Sequence, residues 1–175
     1  MLAYIKIHQK KNFNKSFLKW KIKNLNLKNL QHKNLLSDDV STEASLIAKD
    51  KNIRKLVNSF QINCAYNPPK KFNGSCLDGR DITYKIIPDA DLKFFITANL
   101  KVRARRRYQE LKKLKKKVSY LAVLKSIKKR DKSDYNRRIS PLKKTEDSIL
   151  INTSNLSKRA CFLKLKKIID KKIYK

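Results

Sequence analysis

The chain has 175 residues and a formal net charge of +31, from 45 Lys and Arg against 14 Asp and Glu. A surplus of this size is typical of nucleic-acid-binding proteins. The basic residues are nevertheless spread along the whole chain, without a ribonucleoprotein motif or zinc-finger spacing, so composition alone does not establish that class.

The cysteines and the apolar segments indicate a cytoplasmic protein. Three cysteines stand far apart without a C-x-x-C pair, which predicts free thiols in a reducing compartment, with Cys76 in a buried strand. No segment is long and apolar enough to cross a membrane, and the N-terminus lacks the pattern of a secretory signal. His8 and His32 have no partners at metal-ligand spacing, so no protein-held metal is expected.

The first third of the chain favours helices. Residues 1–36 are rich in Lys and Asn with mixed periodicity, and their structure is left open. Ser37, followed by two aspartates, predicts a helix start, and the pattern extends that helix over residues 40–60. Pro68 and Pro69 then end a linker.

Strands and helices alternate from residue 75 onwards. Short apolar runs predict strands near residues 75–78, 93–98 and 148–153. Helical periodicity covers residues 100–116, residues 120–130 with their continuation, and residues 156–172. The alternation predicts an α/β fold with a doubly wound parallel sheet in one domain.

The last predicted helix carries an apolar face. Phe162, Leu165, Ile168 and Ile169 recur at helical spacing with lysines between them. Such a face packs onto a sheet or lies on a membrane surface, and we expect it to close the sheet.

Two arginines and one aspartate share a helical face near the C-terminal third. Arg130, Asp134 and Arg137 lie at spacings of four and three residues. Guanidinium forks suit phosphate oxygens, and a carboxylate accepts hydrogen bonds from ribose hydroxyls. The pattern indicates half of a nucleotide site, although an ordinary intrahelical ion pair has the same spacing.

A second motif, Asp78-Gly79-Arg80-Asp81, follows a short apolar run. Asp-Gly after a strand is a turn signal, which would place Arg80 and Asp81 at the carboxyl end of that strand. Open α/β sheets bind their ligands at this end. Alone, the motif indicates no more than an ordinary polar loop.

The order of these motifs resembles that of the bacterial cytidylate kinases, which transfer a phosphoryl group from ATP to CMP or dCMP. The resemblance covers about residues 35–170, and the two motifs together are specific where either alone is not. Its further matching residues are Asp39, Val40, Ser41, Ala44, Ser45, Ile53, Arg54, Gln61, Pro88, Asp89, Ala90, Arg103, Ala104, Arg106, Arg107, Asp131, Asn136, Pro141 and Leu142.

The resemblance implies contacts to the phosphate and ribose of CMP. Arg80 and Arg137 match the residues that clamp the acceptor phosphate, and they are the expected catalytic pair. Arg130 and Asp134 match the pair that contacts the ribose.

The resemblance also implies a cytosine pocket. Ser45 and Asp81 match the residues that face the amino group of the base, and Arg54 matches the donor to its ring acceptors. A site that leaves buried polar groups unpaired with the wrong base discriminates strongly, so these residues would favour cytosine over uracil.

Arg103, Arg106 and Arg107 form another set on one helical face. In the family this region leads into a lid over the triphosphate, which implies contacts to the phosphates of ATP bound with Mg²⁺. A solvated basic face, continuous with the neighbouring lysines, is the competing interpretation.

The main departure from the family concerns the glycine-rich loop G-x-x-x-x-G-K-[ST], which holds ATP in nucleoside monophosphate kinases. The only glycines here, Gly74 and Gly79, do not lie in such a loop. We therefore expect a P-loop kinase fold without its first strand and without the protein ligand for Mg²⁺. Either a misplaced start codon or a fragment that carries a nucleotide half-site would explain this, and we favour the first. We expect the chain as given to be impaired in phosphoryl transfer. A smaller departure is Thr83 and Tyr84, where the family has Gly and Thr.

The expected organisation is one truncated cytidylate kinase domain over residues 1–175. Residues 1–70 would form a small CMP-binding insertion and a helix, residues 71–98 and 146–175 the core, and residues 99–145 a helical lid with its flanking helices. The expected protein is a monomer that binds CMP or dCMP and ATP, without a specific nucleic acid or a membrane. A basic RNA-binding or ribosome-associated protein without catalysis is the alternative.

Overall fold

The computed structural model describes residues 3, 5, 14–25, 35, 37–48 and 50–173. The chain forms two compact units, Met1–Asp78 and Gly79–Lys175. The single-domain organisation stays a prediction. None of the described helices combines the length and the apolar character that crossing a membrane requires.

The first unit is helical where it is described. Its helices are α1 (Lys15–Lys23), α2 (Asp38–Ile47) and α3 (Lys51–Tyr66), and α1 packs against α3. Each begins after a side chain that accepts a hydrogen bond from a backbone amide in the first turn, and these caps are Asn14, Ser37 and Asp50.

The start predicted at Ser37 is confirmed, but the single helix predicted over residues 40–60 is wrong. Asp50 interrupts it, because its carboxylate accepts hydrogen bonds from Asn52 N at 2.8 Å and Ile53 N at 3.0 Å. An aspartate that binds these amides starts a new helix instead of continuing the old one.

The second unit holds a two-stranded parallel sheet, with β1 (Phe94–Thr97) beside β2 (Ile149–Asn152). Phe94 pairs with Ile149, and Thr97 pairs with Asn152. Because parallel strands need a crossover, the chain between them forms α4 (Leu100–Lys113) and α5 (Tyr120–Asn136). A π-helical turn (Ile82–Ile86) precedes β1, and α6 (Lys158–Ile173) follows β2.

The strand predicted near residues 75–78 is wrong. Those residues have no regular structure, and Cys76 is exposed, not buried. Ser75 instead donates a hydrogen bond to Ala65 O at 2.7 Å, which holds the segment against the end of α3. A strand needs a hydrogen-bonded neighbour, and in the described residues the sheet contains only β1 and β2.

Helices α4 and α5 pack against each other through small and apolar side chains. Ala104 and Val123 are buried in this pair, and the rings of Tyr108 and Tyr120 meet edge to face with centroids 6.1 Å apart. The packing of α4 against α5 sets the orientation of α5, and with it the direction in which Asp134 points.

The predicted packing of α6 onto the sheet is not found. None of the residues of α6 is buried, and Phe162 is 63% exposed. The sheet itself leaves Ile96 50% exposed and Leu150 55% exposed, whereas Ile151 is buried. Parallel sheets are normally covered on both faces, so this unit presents an uncovered apolar surface.

A buried lysine joins the starts of the two strands. Lys93, just before β1, donates hydrogen bonds to the Asp147 carboxylate and to Pro88 O. The hydrogen bonds from Lys93 and then Thr145 lower the pKa of Asp147 below its ordinary value. The charged form of Asp147 is therefore favoured by folding.

This pairing predicts a loss of stability in acid. A carboxyl group with a depressed pKa in the folded state stabilises the protein above its unfolded pKa, and that contribution disappears as the pH falls through the folded pKa. Asp147→Asn should reduce the dependence of the urea midpoint on pH below about pH 5. The matched control is Asp91→Asn, an exposed aspartate near the same strand; an equal change in both variants would contradict the prediction.

Candidate functional site

The end of α5 presents the arginine and aspartate motif as one cluster. Asp134 is buried, with a side chain only 7% exposed. Arg130 Nε lies 3.9 Å from Asp134 Oδ2, and Arg137 Nη1 lies 3.6 Å from Asp134 Oδ1. Arg130 and Asp134 share a face of α5 as predicted, whereas Arg137 reaches Asp134 from the residue after the helix. Arg137 caps the helix and is itself extended.

Arg80 reaches this cluster from a distant part of the sequence. Its Nε donates a hydrogen bond of 2.9 Å to Asp134 Oδ2. The preceding Gly79 lies close to Ile82, since a Cβ added at Gly79 would stand 2.7 Å from Ile82 Cγ1. A glycine therefore lets the chain turn tightly over the buried Ile82 and direct Arg80 towards α5.

The three arginines around Asp134 form an arginine cluster, which consists of Arg80, Arg130 and Arg137. Its positive and negative charges do not balance. Three guanidiniums surround one carboxylate, which leaves a surplus of two positive charges. Arg130 and Arg80 remain 49% and 34% exposed at their side chains, so solvent or a ligand can reach them. Such an arrangement attracts an anion with several acceptor oxygens, such as a phosphate.

Asp81 is buried beside the cluster, at the entrance to the π-helical turn. Its carbonyl accepts a hydrogen bond from Lys85 N at 3.0 Å, which closes the start of that turn. π-helical turns are rare and are found frequently at functional sites. The turn brings the side chains of Tyr84 and Lys85 to the loop after α5.

Hydrogen bonds to the π-helical turn and to α5 hold that loop. Tyr84 Oη donates to Pro141 O at 2.6 Å, and Lys85 Nζ donates to Ser140 Oγ at 2.9 Å. Leu142 N donates to Asp134 O at 2.7 Å, which folds the loop back onto α5. The loop therefore sets the position of Arg137.

Arg103 joins the base of α4 to α5. Its Nη1 and Nη2 donate to the two Asp131 oxygens at 2.9 and 2.7 Å, and its Nε donates to Ala98 O at 2.9 Å. The hydrogen bonds to Asp131 raise the pKa of Arg103 above its ordinary value. This bidentate pair fixes α5 against α4 one turn before Asp134.

The other two candidate lid arginines also contact protein acceptors. Arg106 Nη2 donates to Thr153 O at 2.6 Å and to Leu156 O at 3.0 Å, beyond the carboxyl end of β2. Arg107 Nη1 contacts Glu110 Oε2 at 3.0 Å within α4. Their predicted contacts to ATP stay a prediction.

Ser45 and Arg54 belong to the first unit. Ser45 lies on α2, and its side chain is outside the description. Arg54 lies on α3, where its Nη1 donates to Ala48 O at 3.4 Å. Their roles in a cytosine pocket stay predictions.

The carboxylates of the described part of the chain do not form a metal centre. No group of three or more His, Cys, Asp or Glu side chains among these residues could hold a metal ion. In the arginine cluster, the Asp134 oxygens face guanidiniums instead. The residues present therefore do not fit a Mg²⁺ held by the protein alone.

Several residues around the cluster were not predicted from the sequence. Asp131 had no assigned role, although it lies three residues before Asp134 on the helix that faces Arg103. Tyr84, Lys85 and Ser140 gave no local signal, because their contacts join segments more than 50 residues apart.

The cytidylate kinase family model matches residues 2–171. The chain belongs to the cytidylate kinase family. It is 41% identical over 143 residues to a cytidylate kinase of Bartonella bacilliformis, covering 81% of this chain and 65% of that protein. It is 44% identical over 128 residues to a cytidylate kinase of Bartonella tribocorum, covering 73% of this chain and 58% of that protein. For a cytidylate kinase of Mesomycoplasma hyopneumoniae the identity is 37% over 151 residues, covering 86% of this chain and 64% of that protein.

Membership of the cytidylate kinase family confirms the resemblance and the coarse fold class, a mixed α/β chain with a small parallel sheet. The matched region spans between 58% and 65% of the length of these three relatives.

Proposed function

We propose that the chain carries the acceptor-binding half of a cytidylate kinase, which transfers the terminal phosphoryl group of ATP to CMP or dCMP and yields CDP or dCDP. The observation that supports this most directly is the convergence of Arg80, Arg130 and Arg137 on Asp134. Family membership gives that cluster its substrate class.

Each side chain of the cluster has a chemical task. Arg137 and Arg80 would hold the phosphate of CMP, while Arg130 and Asp134 would contact the ribose. Asp134 also neutralises part of the guanidinium charge and keeps the three forks together when no ligand is bound. A positioned acceptor phosphate meets the main requirement of phosphoryl transfer, which is alignment with neutralised charge.

The family resemblance assigns recognition of the base to three residues. Asp81 and Ser45 would accept hydrogen bonds from the cytosine amino group, and Arg54 would donate to the ring. Uracil presents a carbonyl in place of the amino group, so a carboxylate facing it would be unpaired and repelled.

The donor would be ATP, which brings its Mg²⁺ as part of the substrate complex. Arg103, Arg106 and Arg107 are the candidate contacts to its phosphates. Since these guanidiniums contact Asp131, Thr153 and Glu110, they would have to exchange partners as ATP binds. We further propose a cytoplasmic monomer that acts in pyrimidine nucleotide metabolism.

The uncovered sheet supports a larger fold. A doubly wound sheet would place further parallel strands beside β1 and β2 and helices on both faces, which would cover Ile96 and Leu150.

Asp81→Asn should erode the preference for cytosine. The carboxamide can offer either an amino group or a carbonyl to the base, so the ratio of the UMP dissociation constant to the CMP dissociation constant should fall by about tenfold or more. Isothermal titration with both nucleotides measures this ratio, and Asp89→Asn, an exposed aspartate, is the control. An unchanged ratio would refute the role of Asp81.

The proposed function is tested by titrating the chain with CMP and with single-stranded RNA at two salt concentrations. Binding to polynucleotide by a +31 chain would weaken steeply with salt, because it releases counterions. Saturable CMP binding with a modest salt dependence and a preference over UMP supports the kinase half-site. Salt-sensitive RNA binding without CMP binding would favour the RNA-binding alternative.

A further inference from the structure

Lys85 lies where the chain departs from the cytidylate kinase pattern, directly after Thr83 and Tyr84. It is exposed on the π-helical turn, and its Nζ donates to Ser140 Oγ at 2.9 Å. The contact joins the turn after Arg80 to the loop that holds Arg137. The roles proposed above for the arginine cluster do not use this lysine.

Ser140 connects Lys85 with Arg137. Its carbonyl accepts a hydrogen bond from Arg137 Nε at 2.5 Å, while its hydroxyl accepts one from Lys85. Ser140 is buried and has a φ of 53°, a left-handed conformation that is uncommon for a residue other than glycine. This backbone lets one residue present two oxygens to two different cations, and strained conformations of this kind cluster at functional sites.

The consequence is a fourth cation beside the arginine cluster. Lys85 and Arg137 bind the hydroxyl and the carbonyl of the same residue, which brings the ammonium and the guanidinium to the same short loop after α5. An ammonium has three donors, and Ser140 Oγ accepts one of them. A flexible lysine can add a point charge to a phosphate that the planar arginine forks orient.

We propose that Lys85 is a specificity-determining cation for the acceptor phosphate, which raises the affinity for a nucleoside monophosphate over the nucleoside without the phosphate. This inference rests on the proposed function and adds a residue to its phosphate site. The ammonium acts on the charge of the ligand, and the base and ribose contacts do not depend on it.

The test compares the full chain with its Lys85→Met variant by isothermal titration against CMP and against cytidine. Methionine keeps the length of the side chain and removes the charge. In a partly exposed site, one positive charge near a phosphate dianion contributes a factor of about 3 to 10 in affinity. The CMP dissociation constant should rise by that factor and the cytidine constant should not change. Higher salt should reduce the difference.

Two controls separate charge from structure. Lys144→Met removes an exposed lysine that follows the same loop and whose Nζ donates to Thr145 O at 3.4 Å, and it should leave both constants unchanged. Tyr84→Phe removes the hydrogen bond to Pro141 without changing any charge. If Lys85→Met weakens CMP and cytidine equally, or weakens neither, the lysine is a structural tether and the proposal is overturned.

A third ligand distinguishes this inference from the proposed function. Inorganic phosphate should raise the melting temperature of the wild-type chain more than that of Lys85→Met. A wild-type chain that shows this Lys85-dependent shift but no preference for CMP over UMP would refute the cytidylate function and support the phosphate role of Lys85. Equal shifts in both chains, with CMP bound normally, would overturn the role of Lys85 alone.

Discussion

Replacing Asp134 with alanine is expected to abolish CMP binding and to destabilise the second unit by about 3–5 kcal/mol. The carboxylate is buried among three guanidiniums, and Arg137 beside it has a side chain only 16% exposed. Without Asp134, like charges face one another in a partly desolvated site, which costs far more than the loss of a surface ion pair. Urea unfolding followed by circular dichroism measures the stability, and titration measures CMP binding.

Two further variants sharpen this expectation. Asp134→Asn keeps the shape of the side chain and an acceptor for Arg80, so it should lose less stability than alanine while CMP binding still falls strongly. Asp170→Ala breaks the exposed pair with Lys166 on α6 and should change the stability by at most about 1 kcal/mol. Equal losses of stability in Asp134→Ala and Asp170→Ala would contradict the stabilising role of Asp134 in the arginine cluster.

The second large effect is expected at the junction of α4 and α5. Arg103→Met removes a bidentate pair with Asp131 and a hydrogen bond to Ala98 O, and should destabilise the second unit by about 2–3 kcal/mol. The pair is about one-third exposed on both sides, which keeps the expected loss below that of a buried pair. Thermal and urea unfolding measure the loss.

A double-mutant cycle isolates the contact between Arg103 and Asp131. Because the two side chains form one pair, Asp131→Asn in the Arg103→Met background should add less than it does alone. Arg105→Met, at an exposed position of the same helix, is the matched control and should be close to neutral. Additive losses would show that the two residues stabilise the unit independently.

The same cycle has a functional readout. The Arg103–Asp131 pair fixes the rotation of α5 one turn before Asp134, and a helix rotated by one residue would turn Asp134 away from Arg80. Arg103→Lys keeps the charge but cannot bind both oxygens, so CMP affinity should fall even where the helix content is unchanged. CMP affinity equal to that of the wild type would separate this pair from the nucleotide site.

The sequence was sufficient for most regular elements of the second unit. Helices α4, α5 and α6 and strands β1 and β2 lie within a few residues of their predicted positions, because periodicity and capping residues are local signals. The break at Asp50 and the missing strand near Cys76 were mispredicted. In the first case a cap competed with helix continuation, and in the second a strand lacked a neighbour to pair with.

The residues of the candidate site also divide into those that local sequence signals predicted and those that they did not. The spacing of Arg130, Asp134 and Arg137 predicted one shared helical face, since helical geometry alone relates residues three and four apart. Arg130 and Asp134 do lie on α5, but Arg137 contacts Asp134 from the extended residue after the helix. Arg80 was predicted from the order of the family motifs and from its place after a strand at residues 75–78, and that strand is absent. Asp131 and Lys85 had no assigned role, because the partner of each is set by packing between segments that are distant in the chain.

By itself, therefore, the sequence determined the family, the local elements and the residue types that can bind a nucleotide, all of which depend on short-range pattern and motif order. Only the tertiary structure decided that Arg80 meets Asp134, that Arg103 is bound to Asp131, and that Ser140 joins Lys85 to Arg137. These contacts depend on how α4, α5 and the turn at Ile82–Ile86 pack, and side chains far apart in the chain meet only when that packing excludes the other arrangements.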